Sequence, residues 1–174
     1  FVFLYLGRIN KDKGIKDLLK AYEKISKDHD TMLIMVGSLE DKTLLNDHKH
    51  QKKILYFGHT SKPEYWFSLA DILCLPSYRE GFGTVIIEAA ACGIPSLCSR
   101  IYGLKDAIYE RKTGFFHQAG NSKDIEKKML HILKNKKLTK SYGLFAKKRV
   151  LKDFEQSILT KSLLKFINHI IDQK

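Results

Sequence analysis

Short, uninterrupted apolar runs alternate with amphipathic stretches along most of the chain, and this alternation carries the first reading of the sequence. "FVFLYL" (1–6) is continuously apolar, as a strand covered on both faces should be. In "GIKDLLKAYEKI" (14–25), Ile15, Leu18, Leu19, Tyr22 and Ile25 recur at helical spacing with lysines between them, which predicts an amphipathic helix. "TMLIMVG" (31–37) reads as a second buried strand and "KILYFGHT" (53–60) as a third. "PEYWFSLA" (63–70) is a short helix opened by proline, and "DILCLPS" (71–77) is a fourth strand closed by Pro76. A helix over 84–93 stops at Gly93 with Pro95 beyond it. A fifth strand follows over 94–99 and a short sixth over 114–118. The rest reads as helix, over roughly 122–135, 138–150 and 155–171. The last of these carries a wide apolar stripe including Leu159, Leu163, Phe166 and Ile170.

Strands and helices that alternate through short connections build βαβ units and a parallel sheet. The expected class is α/β: a Rossmann-like, doubly wound parallel sheet with a helical C-terminal tail. Residues 1–150 would form the sheet domain, and 151–174 a terminal helix whose stripe suits a partner domain. In such sheets ligands sit outside the carboxyl ends of the strands. The segments to inspect are therefore "GRINKDKG", "GHTSK", "PSYREGFG" and "SRIYG".

Composition narrows the picture. With 174 residues, 44% hydrophobic and 29% charged, the chain can bury the core of one ordinary domain. It opens without methionine directly on a strand-like run, which suggests a piece of a longer protein. No run reaches the roughly 18 apolar residues of a membrane-spanning helix, and no signal peptide is visible. Cys74, Cys92 and Cys98 form neither a CxxC nor a zinc spacing; they read as small buried hydrophobes in a reducing, cytoplasmic compartment. The formal charge of +12 could attract nucleic acid, anionic lipid or phosphorylated small molecules. The lysines are spread over most helix faces without a stripe of interleaved aromatics, which disfavours nucleic acid. A solvated surface comes first, and peripheral attachment to an anionic membrane next. His48 and His50 belong to an exposed polar run, and Trp66 to the core side of its short helix.

The strand ends carry the candidate chemistry. No G-x-x-x-x-G-K-[ST] is present, and no G-x-G-x-x-G follows the first strand, so a P-loop and a dehydrogenase-type dinucleotide site are both disfavoured. "GFGT" instead lies between the fourth strand and the helix from Thr84. There, unpartnered backbone N–H groups and the helix dipole suit a phosphate, and Gly81 and Gly83 allow close approach. An ordinary strand-to-helix turn is the plain alternative. Glu80 precedes this turn and Glu88 lies inside the helix, where five residues from Gly83 span about 7–8 Å. The two carboxylates therefore bracket the turn rather than meet. Each can accept hydrogen bonds from vicinal hydroxyls, as on a sugar or a ribose. Arg8 and Lys13, in the loop after the first strand, could neutralise a diphosphate.

Taken together, "GRINKDKG", "ILYFGHT", "ADILCLPSYREGFGTVIIEAAACGIPSLCS" and "KTGFF" resemble the C-terminal, donor-binding domain of retaining glycosyltransferases of the GT-B fold, family 4 or glycosyl transferases group 1. The resemblance runs from Phe1 to about Phe116. It implies half of a GT-B fold, with a hexose transferred from a nucleotide-diphosphate sugar, a UDP-sugar by preference, and retention of configuration. The acceptor would be a glycan or a lipid-linked sugar in bacterial surface-polysaccharide synthesis. By the same resemblance Glu80 would meet the transferred sugar, and Glu88 the ribose. The backbone of Phe82, Gly83 and Thr84 would meet sugar and phosphate, and His59 and Thr60 the base. Arg8 and Lys13 would stabilise the departing diphosphate. No metal or other cofactor is implied. An N-terminal domain would complete the enzyme, so this chain alone would be inactive or nearly so. A non-catalytic nucleotide- or carbohydrate-binding α/β module remains the alternative, and a nucleic-acid-binding domain a more distant one.

Overall fold

The computed structural model describes residues 1–48 and 51–172, without the side chains of Asp47 and His48; His50 lies outside the described residues. Six parallel strands form one sheet: β1 (Val2–Leu6), β2 (Met32–Val36), β3 (Ile54–Phe57), β4 (Ile72–Leu75), β5 (Ser96–Ser99) and β6 (Gly114–His117). They lie in the order β3-β2-β1-β4-β5-β6. The chain winds outward from β1 in one direction, then returns to the other side of β1 and winds the opposite way. Right-handed crossovers then put the helices of the two halves on opposite faces. On one face α1 (Ile15–Asp28) packs against α5 (Ser122–Lys134). On the other, α3 (Thr84–Ala91) packs against α2 (Pro63–Leu69) and α6 (Lys136–Asp153). This is the doubly wound fold expected from the alternation of runs.

The core follows from the apolar runs. Phe3, Leu4 and Tyr5 of β1, Leu33 and Met35 of β2, and Ile72 and Leu73 of β4 are fully buried. Each such side chain contributes roughly 1.5–3 kcal/mol over its exposed state. On α1 the buried positions are Ile15, Leu18, Leu19, Ala21, Tyr22 and Ile25, the stripe expected from its spacing.

Three features depart from the sequence reading. The third strand is shorter than 53–60 and sits at the sheet edge, leaving Leu55, Tyr56 and Phe57 partly exposed. An edge strand has a neighbour on one side only, which an apolar run does not reveal. Cys92, at the end of α3, is exposed rather than buried like Cys74 and Cys98, because it lies on the outer side of the last turn. A four-residue helix, α4 (Tyr102–Lys105), fills the connection between β5 and β6. The tail is α7 (Gln156–Asp172), and all its described side chains, apolar ones included, are exposed.

Candidate functional site

The strand order reverses between β1 and β4, and a cleft of about 290 Å³ opens there at the carboxyl ends of the strands. Arg8, Lys13, Glu80, Phe82, Gly83 and Thr84 all line it. Larger grooves of about 490 Å³ flank α5, one beside Lys24 of α1 and the other beside Phe115 of β6 and Tyr142 of α6, and neither is lined by the loops that follow β1 and β4.

The loop after β1 is strapped onto the end of β4. Gly14 adopts φ 65°, and a Cβ there would stand 2.1 Å from the Pro76 carbonyl oxygen, so only glycine permits this approach. The Tyr78 amide donates to the Asp12 carbonyl (2.8 Å), and the Tyr78 hydroxyl donates to Asp17 on α1. Burial and the Asp17 carboxylate push that phenol up to about 12. These straps deliver Lys13 to Glu80: Nζ lies 2.6 Å from Oε1, with the two side chains only 14% and 15% exposed. The Ser77 hydroxyl donates to the same oxygen at 2.8 Å. Lys13 and Glu80 were expected to act separately, one on phosphate and one on sugar. Among the described residues they stand as one ion pair at the cleft wall, the lysine also near enough to Glu40 for its charge to be felt there.

From the opposite side α4 presses on the Glu80–Gly83 turn. A Cβ at Gly103 would lie 1.9 Å from the Glu80 carbonyl oxygen, and the Leu104 side chain fills the space beside Gly83. Arg149 of α6 holds this wedge by donating to the carbonyls of Asp106 and Ala107, while its guanidinium lies 3.8 Å from the Tyr109 ring centroid. Gly83, at φ 54°, then starts α3 with no side-chain cap. The first amides of that helix are left available to an anion at the cleft wall.

Arg8 takes a different partner. Its guanidinium reaches Glu40 at 3.3 Å, and the Asn10 amide donates to the other carboxylate oxygen at 2.7 Å. The Asn10 bond, helped by Arg8, holds the Glu40 carboxyl below its ordinary range. The Tyr5 hydroxyl beneath donates to the Arg8 carbonyl, and burial, then the charge of Glu80, pushes its phenol well up. Glu40, Asn10, Ser77 and Gly103 were not singled out from sequence. Glu40 could have been found, because "GSLE" follows a strand end as the inspected segments do.

Four expected residues stand outside the cleft wall. Gly81 is exposed in the turn itself. Glu88 is exposed one helical turn beyond Thr84, about 6 Å along α3. His59 and Thr60 follow β3, two strands from β1 and so about 10 Å away along the sheet. A ligand touching them together with Lys13 must be extended along the strand ends.

The chain resembles known proteins in sequence and in fold. Residues 1–149 match the family described as glycosyl transferases group 1, and the chain belongs to that family. It is 30% identical to the capsular polysaccharide biosynthesis glycosyltransferase CapM of Staphylococcus aureus over 99% of its own length and 47% of that protein's. It is 25% identical to the N-acetylgalactosamine-N,N'-diacetylbacillosaminyl-diphospho-undecaprenol 4-alpha-N-acetylgalactosaminyltransferase of Campylobacter jejuni, over 94% of this chain and 46% of that protein. In fold it matches Anabaena HepE, crystallised with UDP and glucose, with a TM-score of 0.87 at 17% identity, over 97% of this chain and 48% of that one. The chain thus spans about half the length of the relatives it matches. Its fold is that of one half of a GT-B protein.

Proposed function

We propose that this chain is the donor-binding half of a retaining glycosyltransferase that moves a hexose from a nucleotide-diphosphate sugar, a UDP-sugar by preference, to a glycan or lipid-linked acceptor in polysaccharide synthesis. The observation that carries the reading is the cleft at the switch point, where Arg8, Lys13, Glu80 and the open start of α3 converge. The diphosphate would lie against the first amides of α3, with Arg8 and Lys13 opposing its charge. As the bond from the sugar carbon to phosphate breaks, negative charge grows on the departing diphosphate, and these fixed donors favour that change. Glu80, already held by Lys13 and Ser77, would accept hydrogen bonds from the sugar hydroxyls. Glu88 would hold the ribose, and His59 and Thr60 would lie towards the base. The cations and the helix start supply the positive charge, so this reading calls for no metal.

The UDP preference and the surface-polysaccharide role draw on the names of HepE's ligands and of CapM. An N-terminal domain would bring the acceptor and cover the apolar side of α7, and the complete protein would work in the cytoplasm. Calorimetric titration with UDP and GDP tests the donor site. Saturable UDP binding that Glu88→Ala weakens supports it, whereas Glu80→Ala should mainly reduce transfer in the complete enzyme. Equal loss of UDP affinity from both changes would contradict this division, and absence of nucleotide binding at millimolar levels would refute the site.

A further inference from the structure

Helix α6 is apolar on two opposite sides, and only one side is used by the fold. Its inner face, with Tyr142, Gly143, Ala146 and Val150, is buried. Its outer face exposes Leu144 (60%), Phe145 (57%) and Leu151 (58%) among lysines. The helix reads "KKLTKSYGLFAKKRVLKD", with seven basic residues and one acid. That acid, Asp153, pairs with Arg149, whose guanidinium is turned inward to the carbonyls of Asp106 and Ala107. The outer face therefore presents lysines and large aliphatic or aromatic groups with no exposed opposing acid from its own helix.

We propose that this outer face of α6 docks the protein on an anionic bilayer surface. The proposal rests on the reading of a lipid-linked acceptor, and it assigns that acceptor's membrane to a particular surface. Exposed lysines with large apolar side chains beside them suit a surface that meets an anionic bilayer through headgroup charge and shallow apolar contact together. A nucleic acid would engage the lysines but leave Leu144 and Leu151 without partners. The placement is also productive. The helix starts at Lys136, whose amine lies 5.7 Å from the Phe1 ring at the far end of the sheet. Just past its last residue stands Phe154, whose ring is 5.8 Å from that of Phe82 at the lip of the cleft. Docking the face flat sets the mouth of the cleft beside the bilayer, where a membrane-held acceptor could reach it.

The test is sedimentation of this chain with phosphatidylcholine vesicles, with and without phosphatidylglycerol. Binding is expected only with the anionic lipid. Neutralising Lys140, Lys147 and Lys148 to glutamine should weaken it roughly a hundredfold. Neutralising Lys16, Lys20 and Lys27 on α1, which removes the same charge elsewhere, should change it only a few-fold. The Leu144→Ser/Leu151→Ser pair should weaken binding about tenfold and make the remainder fully salt-sensitive. Equal losses from the two lysine triples would reduce the effect to overall charge and overturn the proposal. So would absence of binding to anionic vesicles, whether the face instead held a DNA duplex or a second copy of the chain. UDP titration of the same variants separates the two readings: normal UDP affinity without vesicle binding removes the docking face alone. Vesicle binding that follows this pattern without UDP binding removes the donor site and leaves the docking face standing.

Discussion

Two ion pairs at the same strand ends behave in opposite ways. Lys13 and Glu80 are mostly buried, 2.6 Å apart, joined by Ser77 and enclosed by the Gly14 and Gly103 contacts. Arg8 and Glu40 are 64% and 41% exposed and 3.3 Å apart, with the Asn10 amide reinforcing them. The buried pair is fixed by backbone packing on both sides and can offer a ligand a preformed carboxylate. The exposed pair is a surface contact in high dielectric, cheap to open, so Arg8 can leave Glu40 for a diphosphate. One pair supplies geometry and the other supplies an adjustable charge.

The contrast can be broken most severely at Gly103. Valine there must displace the Glu80 carbonyl, and the expected loss is about 2–3 kcal/mol of stability, seen as a lower midpoint in thermal unfolding. UDP affinity should fall with it, because the Glu80–Gly83 turn moves. Next in size, Lys13→Met leaves the Glu80 carboxylate partly buried with Ser77 as its remaining partner. The expected cost is about 1–3 kcal/mol by denaturant titration. Adding Glu80→Gln should restore part of that stability but not UDP binding. If Lys13→Met proves neutral, the pair is not the fixed element described here.

Acid sharpens the contrast with a smaller effect. His117, at the end of β6, is held neutral by burial, so its pKa lies below the ordinary value. The unfolded chain then binds the proton more readily, and stability should decline as pH falls below about 6.5 towards the folded value. Glu40 titrates lower, its contribution being lost only as pH falls through its depressed folded value. Unfolding midpoints measured against pH should show the first step vanish in His117→Gln and persist in Glu40→Gln. Smallest for stability is Arg8→Ala, which should leave the unfolding midpoint nearly unchanged while lowering UDP affinity about tenfold. A large loss of stability would mean that Arg8 belongs to the scaffold rather than to the adjustable charge.

How much of this was legible in the sequence depends on the distance over which each feature is determined. The six strands and the α1 stripe are local patterns, and the helix start after "GFG" is a local turn, so all were readable. The position of β3 at the edge was not, because strand order is set by crossovers rather than by the composition of "ILYF". The Lys13–Glu80 contact joins positions 67 residues apart and depends on the glycine at 14 meeting Pro76. Helix α4 is too short to show a period, so neither it nor the contact at Gly103 was expected. Arg8, Lys13 and Glu80 lie in the loops that follow β1 and β4, so the apolar runs marked those loops, and charge with flanking glycines picked out the residues within them. Glu40 was open to the same reading in "GSLE", whereas Ser77 became legible as a partner of Glu80 only once the strand ends were assembled.

The most direct test of the account is the amide NMR spectrum of the chain during titration with UDP. The account predicts saturable shifts concentrated at Gly83, Thr84 and Val85 and in the Arg8–Lys13 loop, with little change along α5. Shifts confined to the groove of Lys24, Lys123 and Lys127, or no shifts at millimolar UDP, would contradict it.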